Sequence, residues 1–264
     1  MDASPVGRGA LASVQRLLVR FLITALGLIG TWQLVIWVVQ PPAFMLPPPM
    51  EVAEELFRQR GFLFHHAGVT LLEIVIGFFV GLIAGMLLAL AMAESSAMER
   101  LAKPLVVVSQ AFPVFALAPI LVLWFGYGLT SKIVMTALIL FFPVTSAFYD
   151  GLKNADPNLL DLGRVYGAGK RQLMWLIKVP CAAPSLASGV RMAATVAPIG
   201  AVVGEWVGAS EGLGFVMLRA SARVQIDMMF AALVVLAIMA LLLRFLVDVA
   251  MKRLVHWMPE AHVL

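Results

Sequence analysis

Long apolar runs alternate with short polar segments along this chain. Six of the runs are close to or longer than the roughly 20 residues that a helix needs to cross the hydrocarbon core of a membrane. They cover residues 21–39, 68–93, 104–125, 132–149, 181–203 and 228–249. Residues 51–60 predict a short interfacial helix with Val52, Leu56 and Phe57 on one side. The pattern therefore predicts an all-α bundle of about six transmembrane helices.

The first apolar run could also belong to a secretory signal peptide, and its flanks decide between the two interpretations. The run is longer than a usual signal-peptide core, and a Gln-Pro-Pro sequence follows it where a cleavage site would need small residues. It is therefore predicted to be the first membrane helix. Residues 1–20 are polar to mixed and are predicted to form a cytoplasmic N-terminal segment.

Composition also indicates a membrane protein. Hydrophobic residues make up 62% and charged residues 13% of the 264 residues, and the mean hydropathy is +0.97. Soluble domains carry about 25% charged residues. The single cysteine, Cys181, excludes an intrachain disulfide bond and a metal site built from several cysteines. We expect no metal ion, and the net charge of +4 requires no nucleic-acid partner because cationic residues gather on the cytoplasmic side of membrane proteins.

The positions of lysine and arginine predict the orientation of the bundle. With a cytoplasmic N-terminus, twelve of the nineteen cationic residues fall in cytoplasmic segments and five in external ones. This is the bias that membrane proteins show. Both termini are therefore expected in the cytoplasm. Residues 21–254 would form the membrane domain, with loop 150–180 on its cytoplasmic side, and residues 255–264 would form a cytoplasmic tail.

Residues 156–180 form the longest polar interruption in the second half of the chain. Asp156 can accept hydrogen bonds at a helix start, and the proline after it suits a first helical turn. Gly167 and Gly169 should end this helix, and Pro180 should end a second one. Two short amphipathic helices around a glycine elbow would offer a compact surface for another protein.

The spacing within this segment resembles the EAA loop of ABC importer permeases. That motif consists of Glu-Ala-Ala, three residues, Gly, nine residues, Ile, one residue and Leu-Pro. Here Asp161-Leu162-Gly163 occupies the first three positions, Gly167 and Ile177 occupy the next two, and Val179-Pro180 ends the motif. The spacing is intact, whereas the first three identities and the final leucine differ. The resemblance extends over about residues 46–254.

This resemblance implies a type I permease fold and a division of work between subunits. In that family the loop is a coupling helix that docks in a groove of an ATP-hydrolysing subunit. The chain would then be a transport subunit and not an enzyme, without a cofactor of its own, because ATP and Mg²⁺ would bind to the partner. We expect two copies of the chain, two ATP-binding subunits and a periplasmic or lipid-anchored solute-binding protein in a bacterial inner membrane. The residues expected to couple the permease to the ATPase are Asp161, Gly163, Gly167, Lys170, Arg171, Ile177 and Pro180.

Two further segments resemble branches of the same family. Residues 46–56, LPPPMEVAEEL, are similar to a stretch of the nitrate, sulfonate and taurine permeases. Residues 204–217, GEWVGASEGLGFVM, are similar to permeases for thiamine-precursor pyrimidines. Few charged residues lie in the predicted helices, so a small neutral or singly anionic solute fits best. Nitrate, sulfonate, taurine and a hydroxymethylpyrimidine precursor are all candidates.

Prolines and charged residues within or beside the apolar runs are candidates for the translocation path. Proline frees backbone groups that neighbours must satisfy, so a broken helix can line a pathway, and a packing kink is the other interpretation. Arg191 could bind an anionic solute, pair with a carboxylate or extend to the interface, and its place near a helix start favours the last two. The candidates for the path or its gate are Pro113, Pro119, Arg191, Glu205, Trp206 and Glu211.

The start of the second apolar run carries polar residues with more than one interpretation. Glu73 should face protein, water or the interface, because a carboxylate in lipid is costly. His65 and His66 precede the predicted helix and are expected in a loop, since no further ligands are spaced for a metal site. From Gly77 onward, three glycines repeat every four residues, which permits close contact with another helix.

Other functions have weaker support in the sequence. The sequence GAGK at 167–170 lacks the first glycine and the final Ser or Thr of a phosphate-binding loop. The sequence GASEG at 208–212 matches the G-x-S-x-G nucleophile motif, but it lies in a glycine-rich membrane loop, so an intramembrane hydrolase is a remote alternative. A stand-alone secondary transporter or channel is the other alternative, although it would not require the coupling-loop spacing.

Overall fold

The computed structural model describes residues 6–42, 44–111 and 113–257, with side chains placed at 23–42, 44–109, 113 and 115–257. The regular structure of these residues is helical. The helices are α1 (Val6–Val39), α2 (Pro49–Arg58), α3 (Arg60–Glu94), α4 (Ser96–Ala111), α5 (Ala118–Phe125), α6 (Leu129–Lys153), α7 (Pro157–Val165), α8 (Lys170–Leu173), α9 (Val179–Trp206), α10 (Leu213–Ala222) and α11 (Ile226–Leu254).

Three helices, α3, α6 and α9, form the centre of the bundle. The largest buried cluster joins them through residues such as Ile74, Leu140 and Ala194. Glycines allow the helices to approach closely, as predicted. A Cβ atom added at Gly81 would lie 2.6 Å from the carbonyl oxygen of Ala137. Only a residue without a side chain permits this contact between α3 and α6.

Four helical stretches are long and apolar enough to cross a membrane, and they differ in burial. They are Arg60–Glu94, Leu129–Lys153, Lys170–Trp206 and Ile226–Leu254. The most apolar window is 61% buried in the stretch that contains α9 and 22% buried in α11. The stretch with α9 is therefore central, and α11 directs most of its apolar side chains outward, where lipid would solvate them. Shorter apolar helices within the described residues are Ile23–Val39, Phe115–Phe125 and Leu213–Ala222.

Several helices extend beyond the apolar runs that predicted them. Helix α1 begins at Val6 and not at residue 21, and α3 begins at Arg60 and not at residue 68. The expectation of a loop at His65 and His66 is therefore wrong. Residues 94–103, a stretch between two of the apolar runs, are also mostly helical, because α4 begins at Ser96. The helices are longer than the apolar runs because hydropathy identifies only the part of a helix that lipid can surround, whereas helical backbone hydrogen bonds continue into the polar flanks.

The third predicted membrane helix, 104–125, is not continuous. Helix α4 ends at Ala111, and a 3₁₀ turn over Val114–Leu117 precedes α5. Pro113 is extended, with φ −70° and ψ 94°, and the second proline of this region lies in the first turn of α5. Proline lacks the N–H that an α-helix interior requires. Two prolines six residues apart therefore break this stretch.

Pro180, in contrast, does not end a helix, and that prediction is wrong. A π-helical turn, Met174–Lys178, joins α8 to α9, so the helical stretch runs without interruption over Lys170–Trp206. Pro180 lies in the first turn after this wider turn, at a position where a missing N–H is tolerated. Helix α9 also continues past Pro198 and Gly200 to Trp206.

Candidate functional site

The predicted coupling segment folds as two helices joined by a glycine elbow. The carboxylate of Asp156 accepts a hydrogen bond from the N–H of Asn158 at 2.9 Å and caps α7, as predicted. Gly167 has φ +77° and ends α7. The Ala168 N–H donates to the Gly163 carbonyl at 2.9 Å, which completes a Schellman motif. Gly169 has φ −71°, so its predicted role as a second helix breaker is wrong.

Gly163 lets α7 pack onto the following helix. A Cβ atom at this position would lie 2.6 Å from Cδ2 of Leu173 and 2.9 Å from Cδ1 of Ile177. Leu173 is buried and Ile177 is partly buried. These contacts explain why an apolar residue stands ten positions after the elbow glycine: it holds the inner side of the two-helix unit.

The outer side of this unit is exposed and mixes apolar with charged residues. Helix α7 has no buried residue, and Val165 and Tyr166 are each 84% exposed. Asp161 forms an ion pair with Arg164 at 2.6 Å. Exposed apolar side chains rimmed by charge are typical of protein–protein interaction surfaces. We call this surface the coupling face; it consists of Leu159, Asp161, Leu162, Arg164, Val165, Tyr166, Lys170 and Arg171.

At the opposite end of α9, buried side chains hold the start of α10. Glu205, the next-to-last residue of α9, is 1% exposed. Its carboxylate accepts hydrogen bonds from the hydroxyl of Thr70 at 2.6 Å and from the N–H of Gly214 at 2.5 Å. The N–H of Leu213 donates to the Thr70 oxygen at 2.8 Å, and the N–H of Gly212 donates to Nδ1 of His66 at 3.0 Å.

These contacts satisfy the open N–H groups of the first turn of α10 with side chains from two other helices. We call this set the α10 clasp; it consists of His66, Thr70, Glu205, Gly212, Leu213 and Gly214. The clasp joins α3, α9 and α10 at one end of the bundle.

Glu73 lies beside the clasp and faces protein rather than the interface. It is 0% exposed and adjoins Glu205, with Lys132 contributing a positive charge to the same region. Among the described residues, no group lies within hydrogen-bond distance and angle of either carboxyl oxygen of Glu73. His66, Thr70 and Glu73 follow i, i+4, i+7 spacing on α3. That polar stripe on an otherwise apolar helix is the sequence signal for the clasp, and sequence reasoning missed His66 and Thr70.

The structure does not bring the six predicted path residues into one site. Glu205, Trp206 and Glu211 lie at the α10 end, and His65 Nε2 approaches Glu211 at 3.7 Å. Arg191 lies fourteen residues before Glu205, about 21 Å along the helix at 1.5 Å per residue. It pairs with Asp248 of α11 at 2.8 Å. Pro113 and Pro119 are exposed at the break between α4 and α5.

The family described as the inner membrane component of binding-protein-dependent transport systems matches residues 77–259, which include the coupling face and the residues of the clasp from Glu205 onward. The chain belongs to this family. The predicted resemblance to ABC importer permeases is thereby confirmed.

Individual relatives agree with this assignment over most of the permease. A probable ABC transporter permease protein of Haemophilus influenzae is 47% identical over 240 residues, covering 91% of this chain and 98% of the relative. The formylaminopyrimidine transport permease protein ThiX of Halalkalibacterium halodurans is 40% identical and covers 75% of this chain and 80% of the relative. The taurine transport system permease protein TauC of Escherichia coli is 30% identical, and the match covers 97% of this chain and 93% of the relative.

A solved structure shows the same fold. A chain of the MetNI methionine ABC transporter, in an inward-facing conformation, superposes with a TM-score of 0.65 at 19% identity. The match covers 74% of this permease and 97% of that chain. The predicted all-α importer-permease fold is therefore confirmed. The family match and the named relatives confirm the prediction of a transmembrane permease subunit of an ABC importer.

Proposed function

We propose that this permease works as a homodimer in the inner membrane of a bacterium, with an ATP-binding subunit docked on each coupling face. The observation that carries this proposal is the elbow at Gly167. It holds α7 so that its apolar side chains and Arg164 are exposed on the outer side of the bundle. The charge bias along the chain supports a cytoplasmic position for this face, and with it cytoplasmic segments at residues 1–20 and 255–264.

ATP and Mg²⁺ would bind to the partner subunits, and this chain would transmit the resulting movement across the membrane. The helical stretch Lys170–Trp206 begins at the coupling face and ends at Glu205 and Trp206. A movement of the coupling face would therefore reach the α10 end through one helix. ATP binding can drive alternating access only if the ATPase contacts the coupling face differently in the two states. Asp161, Gly163, Gly167, Lys170, Arg171, Ile177 and Pro180 are the proposed coupling residues.

At the external end, we expect the solute-binding protein to meet the residues around α10. Trp206 is half exposed and Glu211 is exposed there, whereas Glu205 is buried and hydrogen-bonded within the clasp. We therefore assign Trp206 and Glu211 to the outer gate or the docking surface. Glu205 would act on the gate by positioning α10, and Pro113 and Pro119 would border the path where α4 and α5 separate.

The proposed solute is a small pyrimidine of the thiamine-precursor type. The relative named for formylaminopyrimidine shares 40% identity, against 30% for the taurine permease. The GLG-containing segment 204–217, which carries the similarity to pyrimidine permeases, forms the end of α9 and the start of α10. Uptake of a radiolabelled aminopyrimidine by the reconstituted transporter with its binding protein, in competition with taurine, tests this assignment. Competition by taurine but not by unlabelled pyrimidine would contradict it.

A pull-down from gently solubilised membranes tests the subunit arrangement. The tagged chain should recover ATPase activity in the eluate, and the Gly167→Asp variant should lose it. A Cβ atom at Gly167 meets nothing within 4 Å, so the substitution displaces no neighbour, but it strains the backbone of the elbow at φ +77° and places a charge at the docking surface. Gly169→Ala is the matched control, because Gly169 has φ −71° and tolerates a side chain. Equal ATPase recovery with Gly167→Asp would contradict the proposal.

A further inference from the structure

A second charged cluster joins α9 to α11, away from both the coupling face and the clasp. Arg191 Nε lies 2.8 Å from Oδ1 of Asp248, and Arg244 Nη1 lies 3.7 Å from the same oxygen. Lys252, one turn further along α11, approaches Oδ2 of Asp248 at 3.9 Å. None of these side chains belongs to the proposed coupling face. We call the set of Arg191, Arg244, Asp248 and Lys252 the α9–α11 cluster.

The position of the cluster along α11 corresponds to a membrane boundary. The sixteen residues between Asp227 and Arg244 carry no charge and span about 24 Å at 1.5 Å per residue. This length covers most of a hydrocarbon core of about 30 Å. Arg244 is the first charged residue after the run, and Asp248 and Lys252 follow at intervals of one turn. The cluster therefore lies where the headgroups of one leaflet begin.

The cluster has more positive than negative charge available at this boundary. Two guanidinium groups, those of Arg191 and Arg244, share the single carboxylate of Asp248 in the ion pairs of the described residues. Their side chains are 29% and 40% exposed, so an anion can approach them from the lipid side. Among the described residues, Nη1 of Arg244 is buried and has no hydrogen-bond acceptor, so a phosphate would contact the exposed remainder of this side chain. A phosphate ester can supply the negative charge and the acceptor oxygens that are needed.

The surface next to the cluster is suited to acyl chains. Leu241, Leu242, Phe245 and Leu246 are all exposed on the outer side of α11, and they flank Arg244 in the sequence. A small water-soluble anion would gain no binding free energy from this apolar surface. A ligand with an anionic phosphate and long hydrocarbon chains matches both parts at once.

From these observations we infer that the α9–α11 cluster binds the headgroup of an anionic phospholipid, with the lipid's acyl chains along the exposed face of α11. Arg244 is the principal contact, Lys252 extends the site toward the aqueous phase, and Asp248 competes with the phosphate for both arginines. Because Arg191 and Asp248 also connect α9 to α11, a bound lipid would lie at the joint between the central helix and the peripheral one.

Native mass spectrometry of the purified transporter complex can test this site. The complex would be exchanged into mixed micelles with phosphatidylglycerol or phosphatidylcholine, and retained lipid would be counted. We expect preferential retention of phosphatidylglycerol, and a loss of about tenfold in Arg244→Gln, the effect of one charge-assisted hydrogen bond. Arg223→Gln is the matched control, because Arg223 is an exposed arginine just before the opposite end of α11. It should retain phosphatidylglycerol as the unaltered chain does.

Asp248→Asn separates a lipid site from general damage to the helix pair. Removing the competing carboxylate should raise phosphatidylglycerol retention, whereas a merely structural cluster would lose lipid in this variant as well as in Arg244→Gln. Inorganic phosphate added at the same concentration should not displace the lipid. Equal retention of the two lipids, an equal loss in Arg223→Gln, lower retention in Asp248→Asn or displacement by phosphate alone would each overturn the inference.

Discussion

Two glycines with left-handed backbone conformations stand at opposite ends of the long helical stretch, and they serve different purposes. Gly167, in the coupling segment, has φ +77°, and a Cβ atom there would meet nothing within 4 Å. Gly212, in the α10 clasp, has φ +108°, and a Cβ atom there would overlap Oε1 of Glu205. Both positions require a positive φ, but the glycine at one end lies on an open surface and the glycine at the other end packs against a buried side chain.

The difference teaches how the two ends divide structural and functional roles. The coupling segment is stabilised by local contacts, a cap and a Schellman motif, so its outer residues are available to a partner. The clasp is built from side chains of α3 and α9 that reach the backbone of α10, so its residues are occupied within the chain. Substitutions at the coupling face should therefore affect association, whereas substitutions in the clasp should affect stability.

The largest expected effect is that of Gly212→Ala. The new Cβ atom would collide with the Glu205 carboxylate and would also require a strained backbone, so we expect a loss of about 3 kcal/mol or more in unfolding free energy. Gly167→Ala is the control with strain but no collision, and its expected cost is about 1 kcal/mol. Thermal unfolding of both purified variants measures the difference. Equal losses would mean that the clasp contact contributes nothing.

Glu205→Ala should have the next largest effect. It leaves the N–H of Gly214 without its acceptor in a buried site, and the hydroxyl of Thr70 keeps only the carbonyl of His66 at 3.2 Å, so we expect a cost of about 2–3 kcal/mol. Glu211→Ala, at an exposed carboxylate of the same segment, should change stability by less than about 0.5 kcal/mol. Chemical or thermal unfolding provides the comparison. A cost at Glu211 as large as that at Glu205 would contradict the assignment of the clasp.

Tyr166→Ala tests the coupling face without touching the elbow. Tyr166 is 84% exposed, so we expect no measurable change in unfolding. Loss of an exposed aromatic at a docking surface should weaken association with the ATPase by about 1–2 kcal/mol, or roughly tenfold. Titration of the reconstituted permease with the purified ATPase measures this affinity. Val224→Ala, at an exposed apolar residue next to α11, is the control and should leave the affinity unchanged.

The smallest expected effect concerns the ion pair at the base of the coupling segment. A hydrogen bond from Lys153 lowers the pKa of Glu99 below its ordinary value. The pair therefore stabilises the fold fully above a carboxyl's usual pKa of about 4.3, and this stability is lost as pH falls through the lowered pKa. Glu99→Gln should lower the melting temperature slightly at pH 7, and the difference from the unaltered chain should shrink in acid. Glu99→Lys combined with Lys153→Glu should restore most of the loss.

Local signals in the sequence were sufficient for the class of protein and for the coupling segment. The apolar runs predicted a helical membrane bundle, although their ends differ from those of the helices by up to fifteen residues at α1. Asp156, Gly167 and the spacing to Ile177 were enough to predict the elbow, since caps and Schellman motifs involve residues close in sequence. The similarity to ABC importer permeases followed from the same spacing.

Tertiary structure decided the remaining features, because each depends on neighbours that are distant in the sequence. Pro113 and Pro180 are the same residue type, yet the first breaks a helix and the second lies in a continuous one, where a preceding π turn accommodates it. The clasp joins residues 143 and 135 positions apart, Leu213 with Thr70 and Thr70 with Glu205. Periodicity could place these side chains on helix faces, but only the packing of α3, α9 and α10 determines which faces meet.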